Sequence, residues 1–171
     1  MSLVSVKEHF KKFNREQDIL EYTQSSATVE QAANALDVIP AKIAKTLSFK
    51  DKEGKAFLVV TAGDSKIDNK KFKEQFGTKP KMLSAEEVVE QTGHVVGGVC
   101  PFGLANPLDI FLDVSLKRFE TVFPACGSVN SAIELTCAEL LEYSGANEWV
   151  DVSKDWDESL QEMAEDTTCT N

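Results

Sequence analysis

The stretch Thr46-Leu47-Ser48-Phe49-Lys50-Asp51-Lys52-Glu53-Gly54-Lys55-Ala56-Phe57-Leu58-Val59-Val60-Thr61 decides how this chain folds. Two runs, residues 46–49 and 57–61, flank the polar turn Asp51-Lys52-Glu53-Gly54. Short apolar runs with β-branched and aromatic residues, bounded by turn formers, read as strands. So short a link makes them a hairpin, which is antiparallel.

Working outward, residues 4–13 read as an amphipathic helix with Val4, Val6, Phe10 and Phe13 apolar. Residues 19–22 are a short strand. Thr28 and Gln31 have capping-box spacing, and Val29, Ala32, Ala33 and Leu36 supply the inner face of the helix they open. Pro40 suits the first turn of a further short helix. Beyond the hairpin, Asp68 opens a helix that ends at Gly77, and Ser84 with Glu87 opens one that stops at Gly93. Residues 110–114, 121–123 and 132–135 are strands, and Thr136 with Glu139 caps a helix ending near Gly145. The expectation is one mixed α/β domain over residues 1–150. Residues 151–171, acidic and poor in apolar pattern, are expected to form a flexible C-terminal tail. A doubly wound nucleotide fold is excluded, because no strand leads into Gly-x-Gly-x-x-Gly and then a helix, and the Walker pattern is absent.

The 171 residues suffice for one hydrophobic core. No apolar run approaches the ~20 residues that span a bilayer, and residues 1–8 lack a charged-then-apolar signal pattern. The expected location is the cytoplasm, with no membrane partner. Cys100, Cys126, Cys137 and Cys169 form no close pair, and His9 and His94 complete no ligand set, so neither a metal nor a disulfide framework is expected. The net charge of −10 argues against nucleic acid, but its distribution does not. Residues 41–81 hold eleven lysines against five acids, whereas residues 151–171 hold seven acids against one lysine. A basic middle suits a phosphate-bearing ligand as well as it suits a solvated surface.

Residues 93–103, Gly-His-Val-Val-Gly-Gly-Val-Cys-Pro-Phe-Gly, carry four glycines. Glycine permits tight turns and close approach to the main chain, so this is either a corner between elements or a loop facing a ligand. Cys100 with His94 is the local pair to weigh for a thiol nucleophile, although a buried thiol explains Cys100 equally. No Gly-x-Ser-x-Gly elbow is present. Lys45, in Ile43-Ala44-Lys45-Thr46-Leu47, is a lysine among apolar residues at an element boundary: a snorkelling side chain or a fixed cation for a phosphate.

Separated segments then point one way. They are Thr28-Val29-Glu30-Gln31-Ala32-Ala33, Ile43-Ala44-Lys45-Thr46-Leu47, Leu58-Val59-Val60, Ala62-Gly63-Asp64, Ile67-Asp68-Asn69-Lys70-Lys71, residues 92–103, residues 108–116, Cys126-Gly127-Ser128 and Ile133-Glu134-Leu135. In this order and spacing the chain resembles the YbaK family of editing domains, related to the editing domain inserted into bacterial prolyl-tRNA synthetases. The resemblance implies a compact, barrel-like, largely antiparallel sheet flanked by helices. It implies a cofactor-free deacylase acting in trans on mischarged tRNA, gripped at its 3′ acceptor end, with prolyl-tRNA synthetase as a partner. The usual substrates of the family are tRNA(Pro) carrying a small wrong amino acid such as cysteine or alanine. The family lysine maps onto Lys45. The glycine-rich loop maps onto Gly97, Gly98, Val99, Cys100 and Pro101, whose main chain would position the ester carbonyl and water. Gly127 and Ser128 would form another wall, and Asn130 would line the amino-acid pocket. His94 stands where the cysteine-specific branch carries tyrosine. The alternative function is a non-catalytic module that binds tRNA or docks on a synthetase.

Overall fold

The computed structural model describes residues 2–162. Within them the order is α1 (Ser2–Lys11), β1 (Leu20–Glu21), α2 (Val29–Leu36), β2 (Ile43–Lys50), β3 (Ala56–Ala62) and β4 (Lys66–Ile67). Then come α3 (Asn69–Phe76), α4 (Ala85–Thr92), β5 (Asp109–Asp113), β6 (Thr121–Pro124) and β7 (Ser131–Ala132). The order closes with β8 (Leu135–Thr136), α5 (Cys137–Ser144), β9 (Glu148–Val150) and β10 (Ser153–Lys154).

The hairpin forms as expected, with Phe49 opposite Phe57 and Lys45 opposite Thr61. It is the centre of a six-stranded sheet of order β8-β6-β2-β3-β5-β9 that curls into a half-barrel. Every residue of β3 is buried, because strands flank it on both sides and both faces are covered. Its alternate residues feed two cores: Leu58, Val60 and Ala62 enter the main one, while Phe57 and Val59 join Phe49 and Phe72 beneath α3.

The antiparallel pairing of the hairpin extends only in part. Across the three sheets of the described residues four ladders are antiparallel and three parallel. All three parallel ladders lie in the main sheet, between β2 and β6, β3 and β5, and β5 and β9. Parallel neighbours need long crossovers, and α3 and α4 lie in the connection from β3 to β5.

The three capping boxes all form, and Gly77, Gly93 and Gly145 end their helices in the left-handed conformation. Elsewhere the sequence reading needs correction. In α1 Val6 and Phe10 are buried, but Val4 is 61% exposed, since residues two apart on a helix face opposite ways. The strand expected at 132–135 is two strands: β7 pairs with β1 and β8 with β6. Residues 151–162 do not hang free. Strand β10 pairs with β4, the amide of Val152 donates to buried Asp113 at 2.9 Å, and the carbonyl of Asp157 accepts from Arg118 at 2.9 Å. The remainder of the expected tail, with Cys169, lies outside the described residues.

Candidate functional site

A cleft of about 440 Å³ opens beside β2, between α2, α4 and the glycine-rich loop. Its apolar lining includes Val29, Ala32, Leu36, Ile43 and Phe123. Lys45, Thr46 and Ser48 from β2, with Tyr22, Ser26, Thr28 and Ser131, supply polar groups. No carboxylate or imidazole is among the described residues that line it.

Lys45 is half-buried in this wall, and its ammonium donates to the carbonyl of Ser65 at 2.5 Å. Burial lowers its pKa, while the charges of Asp64 and Glu30 pull the other way. The segment that carries Ser65 is itself held. Arg118, 3% exposed, makes a bidentate pair with Asp64 at 2.6 and 2.9 Å and donates through Nε to Ser115 at 2.8 Å. Partial burial works upward on the Asp64 pKa, but Arg118 and the Asp157 amide outweigh it and hold the carboxyl below its ordinary value. Gly63 matters for space: a Cβ there would stand 2.1 Å from the Pro40 carbonyl oxygen.

On the opposite wall, residues 95–98 form a turn closed by the Gly98 amide donating to Val95 at 2.9 Å. Gly97 occupies its third position with φ +95°, which a type II turn reserves for glycine. Gly98 lies against a second turn. A Cβ on it would stand 2.8 Å from the Ser128 nitrogen and 2.9 Å from the Gly127 carbonyl carbon. Gly127, at φ +90°, is pressed in turn against the start of α1, where a Cβ would stand 2.8 Å from the Ser2 carbonyl. The two glycine turns are therefore stacked, and Gly127 and Ser128 lie behind the cleft rather than forming the separate wall expected from the sequence.

The residues singled out from the sequence thus sort into three groups. Lys45, Gly97 and Val99 line the cleft. Gly98, Gly127 and Ser128 stand behind that lining and set its shape. Ser128 donates to Asn130 at 3.1 Å and shares a hydrogen bond with Ser131 at 2.6 Å; Ser131, not Asn130, is in the lining. His94, Cys100 and Pro101 are buried and do not line the cleft. His94 Nε2 donates to the Phe102 carbonyl at 2.7 Å, and the Cys100 thiol lies 3.5 Å from that nitrogen. Burial pushes the Cys100 thiol up to about 12 and lowers the pKa of His94. A buried neutral thiol beside a ring nitrogen already spent on a carbonyl is a core contact rather than a nucleophile–base pair.

Sequence reasoning missed Tyr22, Ser26 and Ser131. Tyr22 donates to Ser26 at 2.8 Å, Ser26 donates to the Val129 carbonyl at 2.7 Å, and the pairing of β1 with β7 brings the segments together. Neither residue type nor spacing signals such a contact over more than a hundred positions. No group of three or more His, Cys, Asp or Glu suited to a metal occurs among the described residues.

Comparison with known proteins gives this geometry its context. The profile of the aminoacyl-tRNA editing domain matches residues 23–143. An uncharacterized protein of Bacillus subtilis, YwhH, is 60% identical over 157 residues, spanning 92% of this chain and all of that one. A proline–tRNA ligase of Thermosipho africanus is 31% identical over 132 residues, 77% of this chain but 23% of the ligase. A solved structure described as a candidate trans-editing enzyme for prolyl tRNA synthetase superposes with a TM-score of 0.81 at 29% identity, covering 90% of this chain and 97% of that one. The match starts just after β1, runs into α5 and takes in both glycine turns and Lys45, so this chain belongs to the aminoacyl-tRNA editing domain family.

Proposed function

We propose that the protein is a deacylase that acts in trans to hydrolyse the ester of mischarged tRNA, with tRNA(Pro) carrying alanine, cysteine or a residue of similar size as substrate. The observation that carries this reading is the pairing, across one apolar cleft, of a fixed lysine with a glycine turn whose backbone is open to the cavity. Such a site binds a nucleotide end and polarises a carbonyl without a catalytic side-chain base.

In the reaction, water adds to the ester carbonyl, the tetrahedral oxyanion collapses, and the bond to the terminal ribose oxygen breaks. That oxygen takes a proton, leaving free amino acid and tRNA. Backbone amides aimed at the developing oxyanion act with most force in a water-poor cleft. The Gly98 amide is already committed to Val95, whereas those of Gly97 and Val99 have no hydrogen-bond partner among the described residues. We assign the donor role to Gly97 and Val99, and to Gly98 the fit between the two turns. With no carboxylate or imidazole in the lining, the proton from water passes to solvent, or through the neighbouring ribose hydroxyl of the substrate to the leaving ribose oxygen. Lys45, steered by the Ser65 carbonyl, meets the 3′-terminal nucleotide.

The test is deacylation of tRNA(Pro) charged in turn with alanine, cysteine and serine, by the wild type and by Lys45→Ala. The expected result is turnover of at least one ester and a loss of about tenfold or more in kcat/KM for Lys45→Ala, as for removal of a charge-assisted contact of ~1.5–3 kcal/mol. Tight binding of all three with no turnover would favour a non-catalytic binding module. Unchanged turnover in folded Lys45→Ala would remove that residue from the site.

A further inference from the structure

Outside the cleft, the densest positive charge lies on α3 and the chain that follows it. Residues 66–81 hold six lysines against two acids, Asp68 and Glu74. Asp68 is committed to capping α3, where it accepts from the Lys71 amide at 3.0 Å, and Lys71 is itself paired with Asp151 at 3.1 Å. Lys70, Lys73 and Lys79 are exposed, and among the described residues none of them is in a salt bridge. With Asn69 and Pro80 these three lysines surround a single shallow hollow of about 460 Å³. Three ammonium groups in no salt bridge surround one hollow and outnumber Glu74, the one acid within α3; in a chain of net charge −10 they make a local field that draws anions against the charge of the whole.

One chain segment runs from the hollow to the cleft wall. Lys79 and Pro80 rim the hollow, and Met82 and Leu83 of the same segment line the cleft. That segment is strapped to the outer part of β2: the Lys50 amide donates to the Lys81 carbonyl at 2.9 Å and the Leu83 amide to the Ser48 carbonyl at 3.1 Å. From Lys79 to Met82 an extended chain covers about 10 Å. That is a reach of only a few phosphates along a nucleic-acid strand whose end lies in the cleft beside Lys45.

We propose that Lys70, Lys73 and Lys79 form a track for the phosphate backbone of the RNA strand whose 3′ end enters the cleft. The identity of that strand rests on the deacylase reading above; the track itself does not require catalysis. Contacts of this kind fix register and add affinity without reading sequence.

The test uses the full chain, an uncharged tRNA(Pro) transcript and the trinucleotide CCA, with binding followed by fluorescence anisotropy between 50 and 200 mM salt. In Lys70→Gln/Lys73→Gln/Lys79→Gln the slope of log K against log salt for the transcript is expected to flatten by about 2–3, near 0.9 per lost phosphate contact. Affinity for CCA should stay as in the wild type. Lys7→Gln/Lys11→Gln/Lys12→Gln removes equal charge from the α1 region and should leave the transcript slope unchanged. An unchanged slope in the α3 variant, or an equal loss in the α1 variant, overturns the track. So does a wild type that binds an acidic polypeptide but not the transcript. Failure of the deacylase reading registers separately, as absence of ester hydrolysis.

Discussion

Replacing Gly98 by alanine isolates what the stacked turns contribute. The added Cβ would lie 2.8 Å from the Ser128 nitrogen and 2.9 Å from two backbone carbons, whereas ordinary contact begins at 3.4 Å. All three atoms are main chain, so no rotamer change relieves the clash, and the turns must part by roughly 0.6 Å, the gap between those distances. Gly98 has no positive φ, so the cost is packing alone. Overpacking of this kind costs about 1–3 kcal/mol. For a chain of this size that lowers Tm by about 2–12 °C. The same displacement carries Gly97 and Val99 away from the ester, and misplacement approaching 1 Å costs up to about a hundredfold in rate. The assay is thermal unfolding beside single-turnover deacylation at a temperature below the measured transitions of both proteins. Gly54→Ala is the control. Its φ of +84° imposes backbone strain on a hairpin turn with open space around it, so it should lose stability and keep full activity. A Gly98→Ala protein with wild-type Tm and rate would refute the stacked-turn geometry. Activity losses in both variants that merely follow Tm would refute the positioning of the ester by that loop.

Three further outcomes follow from the site. Cys100→Ala should deacylate at the wild-type rate, since the thiol is fully buried with its pKa pushed up to about 12; a loss beyond about tenfold in a folded variant would reinstate it as a nucleophile. Asp64→Asn leaves the buried Arg118 guanidinium without its carboxylate and, since Asp64 itself is partly open to water, should cost about 1.5–3 kcal/mol in urea unfolding. Because pairing lowers the Asp64 pKa, the wild type should hold this stability above the ordinary carboxylate range and lose it as pH falls through the lowered value, a trend absent from the variant. Burial lowers the Lys45 pKa, so loss of its charge, and with it kcat/KM, should begin at a lower pH than for an ordinary lysine. Lys45→Arg stays charged throughout, and an alkaline limb unchanged in that variant would show that Lys45 is not its source.

The local parts of this fold are legible in the sequence because their causes are local. Thr28 with Gln31, Ser84 with Glu87, and Thr136 with Glu139 satisfy helix amides three residues away, and Gly77, Gly93 and Gly145 end helices through their own backbone freedom. The β2–β3 hairpin follows from a short turn between two apolar runs. The motif order around Lys45 and the two glycine turns marks the editing domain family before any contact is visible.

Contacts between distant segments decide the rest. The parallel ladders of β3 with β5 and of β5 with β9 join strands separated by helices, and nothing within either strand names its neighbour. The docking of residues 151–162 depends on Asp113 and Arg118, each satisfied by the main chain of a segment whose own composition is acidic and poorly patterned. Tyr22 and Ser26 enter the cleft because β1 pairs with β7, and His94 and Cys100 leave it because their loop folds inward onto the Phe102 carbonyl. The loop at residues 93–103 shows the division most clearly. Its glycines announce a special backbone, since only glycine adopts such turns at little cost. That Gly97 faces the cleft while Gly98 bears on Ser128 depends on where a turn some thirty residues away comes to rest, which is a property of the packed molecule.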